Sequence, residues 1–246
     1  MKKIKIIGHR GYLSKAPENT LASFELAVKL GVDAIEFDLH QTSDKKLIIH
    51  HDYTLGRTDN GSGNIFQKSF KEISKIDAGS WFDKKFSNEK IPTPEEVFER
   101  FKDTIEYEIE LKESTIEFLD KLIETVKKYN LLDKVEFTSP HVFLLAKLKQ
   151  KYPQVKTGVF FKIHPDWMTQ EQGERIILNT LLVLPADVAH LPVSIINKNF
   201  VKTLKKHGKL VHAADCNDKI SIQKINKLNC DQFSTNEVEL AQTTLK

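Results

Sequence analysis

The feature that most restricts this chain is a rhythm. Short segments of strand character recur along it, and stretches with helical periodicity separate most of them. Strand candidates fall at Ile4–Ile7, Ala34–Leu39, Leu47–His50, Ile105–Leu111, Lys134–Thr138, Thr157–Phe161, Asp187–His190, Lys209–Ala213 and Asp231–Ser234. Strands alternating with helices at this spacing predict βαβ units and a parallel sheet. One link breaks the rule. Leu39 to Leu47 is too short for a crossover, which needs about a dozen residues or more. Leu47–His50 is therefore expected to form a hairpin with the strand before it. Eight candidates then remain, the number that a closed α/β barrel of the TIM (β/α)8 type requires.

Helix signals fall between the strands. Thr20 caps a helix that stops near Leu30, before Gly31. Ser69-x-x-Glu72 opens a short one, and Thr93-Pro94-Glu95-Glu96 combines a capping box with proline in the first turn. Ser114-x-x-Glu117 predicts a helix to about Tyr129, with Ile116, Leu119, Ile123 and Val126 on one face. Pro140 and Thr169-x-x-Gln172 open two more, to about Lys151 and Leu182. The 246 residues suit a single barrel domain, 1–246, of about 250 residues. Residues 41–100 interrupt the rhythm with the turn cluster Asp59–Gly63 and with Trp81-Phe82. About 60 residues with few apolar periods would not hold a core of their own. A small insertion after the second strand, an excursion from one barrel end, is expected.

Composition excludes classes without naming a function. A chain that is 40% hydrophobic and 29% charged is not disordered. A net charge of +3 gives no ground for a nucleic-acid partner. Cys216 and Cys230 have neither zinc-site nor redox spacing and suit a reducing compartment. The apolar start ends at Ile7 with no signal-peptide core after it, and no run of about 18 apolar residues follows. The expected setting is cytoplasmic, without stable membrane insertion; the oligomeric state is left open.

Charges stand where a barrel has its core. In Ala34–Leu39 one face holds Ile35, Phe37 and Leu39, and the other holds Ala34, Glu36 and Asp38. Helices cover a parallel barrel from outside, so the apolar set belongs there and the carboxylates point inward. Ile105–Lys112 repeats the pattern: Ile105, Tyr107, Ile109 and Leu111 outward, Glu106, Glu108, Glu110 and Lys112 inward. Glu106 lies deepest and needs a charged partner or an opening at the barrel bottom. Glu36, Asp38 and Glu110 converge as an oxygen-rich site that suits Mg²⁺ or Ca²⁺ better than Zn²⁺. An exposed antiparallel ribbon with solvated charges would give the same alternation. His9 and Arg10 follow the first strand, and His51 follows Ile48-Ile49. Two imidazoles beside a metal can divide general acid and base work, and the Arg10 fork can grip a phosphate. The remaining histidines are expected to be structural or surface groups; His50 neighbours His51, but alternation sends it to the opposite face.

Taken in order, the motifs His9-Arg10-Gly11, Pro17-Glu18-Asn19-Thr20, Ile35-Glu36-Phe37-Asp38, His51-Asp52, Leu55-x-Arg57-Thr58, Asp77-Ala78-Gly79-Ser80-Trp81-Phe82, Ile91-Pro92-Thr93-Pro94 and Ile109-Glu110-Leu111-Lys112 resemble the glycerophosphodiester phosphodiesterase family. The series spans roughly the first 112 residues. The resemblance implies a TIM-type barrel and metal-dependent hydrolysis of small glycerophosphodiesters to glycerol 3-phosphate and an alcohol. It implies metal ligation by Glu36, Asp38 and Glu110, acid–base roles for His9 and His51, and phosphate contacts from Arg10 and Lys112. The second half departs from the family pattern. Ala214 stands where a Trp-Thr-Val-Asn motif begins, and Thr235-Asn236-Glu237-Val238 replaces Thr-Asp-x-Pro. The resemblance implies that this Trp contributes an apolar wall for the glycerol; Trp167, Phe160 or Phe161 are candidates to replace it, although ordinary barrel packing accounts for them as well. Substrate choice is therefore open. The alternatives are a lysophospholipase D-like enzyme acting on a lipid and a non-catalytic phosphodiester-binding protein.

Overall fold

The computed structural model of the protein describes residues 3–113 and 115–246. Strand β1 (Lys5–Gly8) leads through helix α1 (Leu21–Lys29) to β2 (Ala34–Gln41). A turn brings in β3 (Leu47–Ile49), then the ribbon β4 (Thr54–Leu55) and β5 (Gly63–Asn64), and the short helix α2 (Phe70–Ile73). Helix α3 (Pro94–Phe101) returns the chain to β6 (Glu106–Leu111). Strict alternation follows: α4 (Ile116–Lys128), β7 (Val135–Ser139), α5 (Val142–Lys151), β8 (Lys156–Phe160), α6 (Gln170–Val183) and β9 (Val188–Pro192). It continues through α7 (Lys198–Lys206), β10 (Leu210–Ala214), α8 (Lys219–Lys227), β11 (Gln232–Thr235) and α9 (Val238–Thr244).

The sheet closes because β1 pairs in parallel with both β2 and β11. The eight parallel strands run β1-β2-β6-β7-β8-β9-β10-β11 around the barrel. β3 lies outside this ring, antiparallel to β2, with Leu39 opposite Ile49 and Gln41 opposite Leu47. The short link thus makes the expected hairpin.

Local chemistry sets the helix starts. Thr20 accepts the Ser23 N–H at 3.3 Å. At α3 the Glu96 carboxylate accepts the Thr93 N–H at 2.7 Å while the Thr93 hydroxyl accepts the Glu96 N–H at 3.3 Å. Such a reciprocal cap satisfies two orphan donors. The proposed start of α4 at Ser114 lies outside the described residues; Thr115 caps that helix by accepting the Phe118 N–H at 3.3 Å. Leu119, Ile123 and Val126 are buried as expected, but Ile116 is 54% exposed. It is the first residue of the helix, at the open end of the barrel. Helix α5 begins two residues after Pro140 because the Ser139 hydroxyl takes the His141 N–H at 3.0 Å and donates to the Leu111 carbonyl at 2.8 Å. The chain is still anchored to the strands there.

The two faces of β2 and β6 sort as their alternation requires. Phe37 packs between Phe24 of α1 and Phe98 of α3, with ring centroids at 6.0 and 6.3 Å, and Phe98 meets Tyr107 at 5.1 Å. Each such buried ring is worth about 1.5–3 kcal/mol. Glu36, Asp38 and Glu108 are buried on the opposite, interior face. Glu106, deepest in the series, has both of the expected remedies: Lys5 Nζ lies 2.5 Å away, and the carboxylate is 39% exposed at the barrel bottom.

In the excursion, Leu55, Ile65, Ile73, Ala78 and Ile91 gather around Ile48 as a cluster separate from the main core. Leu47 and Ile49, on the other face of β3, belong to the main core. We propose that 41–100 is an inserted part of one domain spanning 1–246, since its apolar cluster is small and leans on β3.

Candidate active site

The site lies at the carboxyl ends of β1, β2 and β6. The loop after β1 turns sharply. Arg10 has a left-handed φ of 52°, Gly11 has φ 88°, and a Cβ on Gly11 would meet the Ser23 backbone carbon at 2.6 Å. Only glycine allows this approach to α1. The turn directs the Arg10 N–H to Glu36 Oε2 at 2.8 Å. It also leaves His9 between β1 and β11, its N–H on the Thr235 carbonyl at 3.1 Å.

His9 Nδ1 lies 2.7 Å from Asn236 Oδ1. An amide oxygen only accepts, so we assign the proton to Nδ1 and leave Nε2 as the exchanging atom. His9 Nε2 faces Glu36 Oε2 at 4.0 Å. Asn236 is itself held, its N–H donating to Asn217 Oδ1 at 2.7 Å. Asp215 Oδ1 stands 4.0 Å from His9 Nδ1.

Glu36, Asp38 and Glu110 each offer one oxygen, all within 4.8 Å of one another. The β2–β6 register explains this by setting Asp38 beside Glu110. Asn19 donates to Asp38 Oδ2 at 2.8 Å. Lys112 Nζ lies 2.9 Å from Asp38 Oδ1 and also donates to Glu110. Burial, then the Asp38 charge, pushes the Glu36 carboxyl well above the usual range. Burial works the same way on Asp38, but Lys112, Arg10 and His51 bring it down to about 2. A hard, oxygen-only donor set with one carboxyl short of positive charge fits a divalent cation.

His51 follows β3 in a loop tied to the barrel mouth by Tyr53, whose hydroxyl donates to the Lys112 carbonyl at 2.9 Å. Its Nδ1 lies 2.6 Å from Asp52 Oδ1. Burial opposes ionisation of Asp52, yet Arg57 and His51 lower it to about 2. The chain of contacts continues: Arg57 Nε donates to Asp52 Oδ2 at 2.5 Å, Arg57 Nη2 to Glu18 Oε1 at 2.7 Å, and Arg10 Nη1 to the same Glu18 oxygen at 2.8 Å. An ionic ladder thus joins the two histidine loops. Burial works against charging the Arg10 guanidinium, but the Asp38, Glu36 and Glu18 carboxylates hold it charged.

The structure therefore brings together all seven residues singled out in the sequence: His9, Arg10, Glu36, Asp38, His51, Glu110 and Lys112. Asn19, Glu18, Asp52, Arg57 and Asn236 support them, and sequence reasoning gave none of these a role. The first four lie in motifs already noted for the resemblance, which was the available signal; Asn236 had only a departure from pattern. His50 faces away, its Nε2 on Asp59 at 3.1 Å. Trp167 is 78% exposed and Phe160 packs edge-on against His190, with centroids 4.8 Å apart.

Residues 9–240 match the model of the glycerophosphoryl diester phosphodiesterase family. The chain belongs to that family. It is 38% identical over 164 residues to a glycerophosphodiester phosphodiesterase of Caldanaerobacter subterraneus subsp. tengcongensis, covering 65% of this chain and 68% of that one. It is 32% identical over 240 residues to one from Bacillus subtilis, covering 91% and 80%. An Oleispira antarctica phosphodiesterase solved with the product sn-glycerol-3-phosphate superposes with a TM-score of 0.85 at 28% identity, covering 98% of this chain and 96% of that one. A glycerophosphodiester phosphodiesterase is a hydrolase, and the barrel, the motif series and the convergent carboxylates of this family member agree with that assignment. Among the described residues no helix is long and apolar enough to cross a membrane.

Proposed function

We propose that this chain hydrolyses small glycerophosphodiesters to glycerol 3-phosphate and an alcohol. In this reading Glu36, Asp38 and Glu110 hold Mg²⁺ or Ca²⁺, and His9 and His51 are the acid–base pair. One observation supports it above the others: three buried-to-half-buried carboxylates converge at the barrel mouth, and an imidazole on each of two neighbouring loops is fixed at Nδ1 by an acceptor. Nε2 of each ring is then the nitrogen left free to exchange a proton. One imidazole takes the proton of the glycerol hydroxyl next to the phosphate as that oxygen attacks phosphorus. The other donates a proton to the departing alkoxide. A cyclic phosphate and the free alcohol result, and water opens the ring with the roles reversed. When bound, a cation held by Glu36, Asp38 and Glu110 would supply positive charge to offset that of the phosphate and would ease ionisation of the attacking hydroxyl. Arg10 and Lys112, at the same carboxylates, face the developing negative charge.

The two cysteines are buried and free, in keeping with a cytoplasmic setting. The test incubates the protein with glycerophosphocholine, glycerophosphoethanolamine and glycerophosphoglycerol, with Mg²⁺, Ca²⁺ or EDTA, and couples product to glycerol 3-phosphate oxidation. No product from any of them with either metal would sink the reading.

A second reading, hydrolysis of lysophospholipids, has one observation in its favour. Val142 and Phe143 after β7 and Ile163 and Trp167 after β8 are exposed, the last two by 62% and 78%. The first pair opens α5 and the second lies in the loop before α6, and both segments follow adjacent strands at the same barrel end as the site. Lysophosphatidylcholine assayed beside glycerophosphocholine separates the two.

A further inference from the structure

The interior of a TIM barrel is ordinarily filled by layers of branched aliphatic side chains. Below the mouth of this one stand Glu108, Glu136, Lys156, His190, His212 and Gln232. Part of that set satisfies itself. Glu136 receives His190 Nε2 at 2.6 Å, Gln232 Nε2 at 2.9 Å and Lys156 Nζ at 2.7 Å. The remainder does not. Glu108 Oε2 and His190 Nδ1 are buried without a hydrogen-bond partner, in residues only 3% and 1% exposed. A buried polar atom left unpaired costs about 1–3 kcal/mol, so two in one spot call for an explanation.

Both lie in one three-residue cluster in which each imidazole faces one oxygen of the Glu108 carboxylate. His190 Nδ1 is 3.7 Å from Glu108 Oε1, and His212 Nδ1 is 3.3 Å from Glu108 Oε2. The three residues bring one donor atom each within 4.8 Å of the others. We propose that Glu108, His190 and His212 form a second metal site, inside the barrel, for a borderline divalent ion of the Zn²⁺ class. It is distinct in chemistry from the carboxylate cluster: two imidazole nitrogens and one carboxylate suit zinc, whereas three oxygens suit magnesium or calcium. It is also distinct in place. Glu108 and Glu110 both point inward from β6, about 6.6 Å apart along the strand at 3.3 Å per residue.

The surroundings are those of a ligating histidine. Glu136 takes the proton on His190 Nε2, which fixes the tautomer and turns the Nδ1 lone pair toward Glu108. Burial keeps His212 neutral, the form that binds metal. Gln232 donates to His212 Nδ1 at 3.2 Å, but the same amide nitrogen already has Glu136. It therefore keeps a partner when the ion takes His212 Nδ1. The two rings stack at 4.0 Å and 25° and must fan apart as the donors close to about 2.0–2.2 Å from the ion. The site is independent of the reading of the reaction above.

The test uses the full chain, unfolded in chelator, refolded with one equivalent of Zn²⁺ and dialysed against Mg²⁺. Metal per chain is measured for the wild type, Glu110→Gln, Glu108→Gln and His212→Asn. The proposal expects one Zn²⁺ per chain in the wild type and in Glu110→Gln, with affinity at least tenfold weaker in the other two. A readout that needs no variant is the ¹⁵N spectrum of the histidine rings, in which Nδ1 of His190 and His212 should shift on zinc addition. Three results would each overturn it: no zinc retained by the refolded wild type, zinc lost in Glu110→Gln, or unshifted Nδ1 signals with zinc bound. In the first, the buried groups would be joined by a proton and not by a metal.

Discussion

His212 and Glu108 should pull the stability of the protein in opposite directions as pH changes. Burial brings His212 from 6.5 down to about 4. Between those values the unfolded chain binds a proton that the folded chain refuses. The contribution of His212 is therefore complete above pH 6.5 and is lost as pH falls toward 4. At about 1.4 kcal/mol per pH unit the window is worth about 3 kcal/mol. Glu108 does the reverse. Burial, then repulsion from Glu136, raises it from 4.5 to about 7. The folded chain then holds the extra proton, and stability falls by about 3 kcal/mol as pH rises from 4.5 to 7. Across pH 4.5–6.5 the two slopes cancel. The substitution His212→Asn keeps an acceptor for Gln232 and removes one slope. In EDTA, urea unfolding at pH 4.5, 5.5, 6.5 and 7 should show the variant falling behind wild type by about 3 kcal/mol as pH rises from 4.5 to 6.5, with no further separation above that. Other carboxylates drop out of the difference. Parallel profiles would refute the opposed-titration account.

Further expectations concern the mouth and the packing beneath it. His9→Ala and His51→Ala should each lower turnover by about 10²–10⁴-fold while leaving metal affinity, measured by calorimetry, within a few fold; near-normal turnover in either would remove it from the acid–base pair. Glu110→Ala should weaken Mg²⁺ or Ca²⁺ binding in the same titration, and an unchanged isotherm would take Glu110 out of the ligand set. Gly158→Ala would place a Cβ 2.3 Å from His190 Nε2 and 2.5 Å from Glu136 Oε1, an overpacking that should cost about 1–3 kcal/mol. An unaltered melting temperature would show that these side chains can yield.

Much of the barrel was legible because its rules are local. Alternation along β2 and β6 told which side chains face helices, and one short link told which strand pairs backwards. The inward charges followed from the same period of two, and with them Glu36, Asp38 and Glu110. The rest is built from contacts that no local pattern encodes. Glu136, His190, His212 and Gln232 come from four different strands, and none looks unusual in its own segment. Both histidines therefore passed for ordinary ones. Arg57 reaches Glu18 across 39 positions, and each half of that ladder is merely a surface charge until the barrel closes. Ile116 shows the opposite limit: helical periodicity put it on the buried face, but a helix end has no neighbour to bury it.

The closure of the ring has a consequence for how the protein is made. β1 is the seam, bonded on one side to β2 and on the other to β11. His9 sits on that seam and takes its orientation from Asn236, 227 positions later. At about 5–20 residues per second of synthesis, His9 waits about 10–45 s on the ribosome before its partner exists. Until then one edge of β1 is open and the imidazole has nothing to hold its tautomer. The last strand thus works as a latch: a nascent or prematurely ended chain has the carboxylates, both histidines and most of the barrel, yet it has no oriented His9. Competence for catalysis would arrive in one step, with the final turn of the sheet.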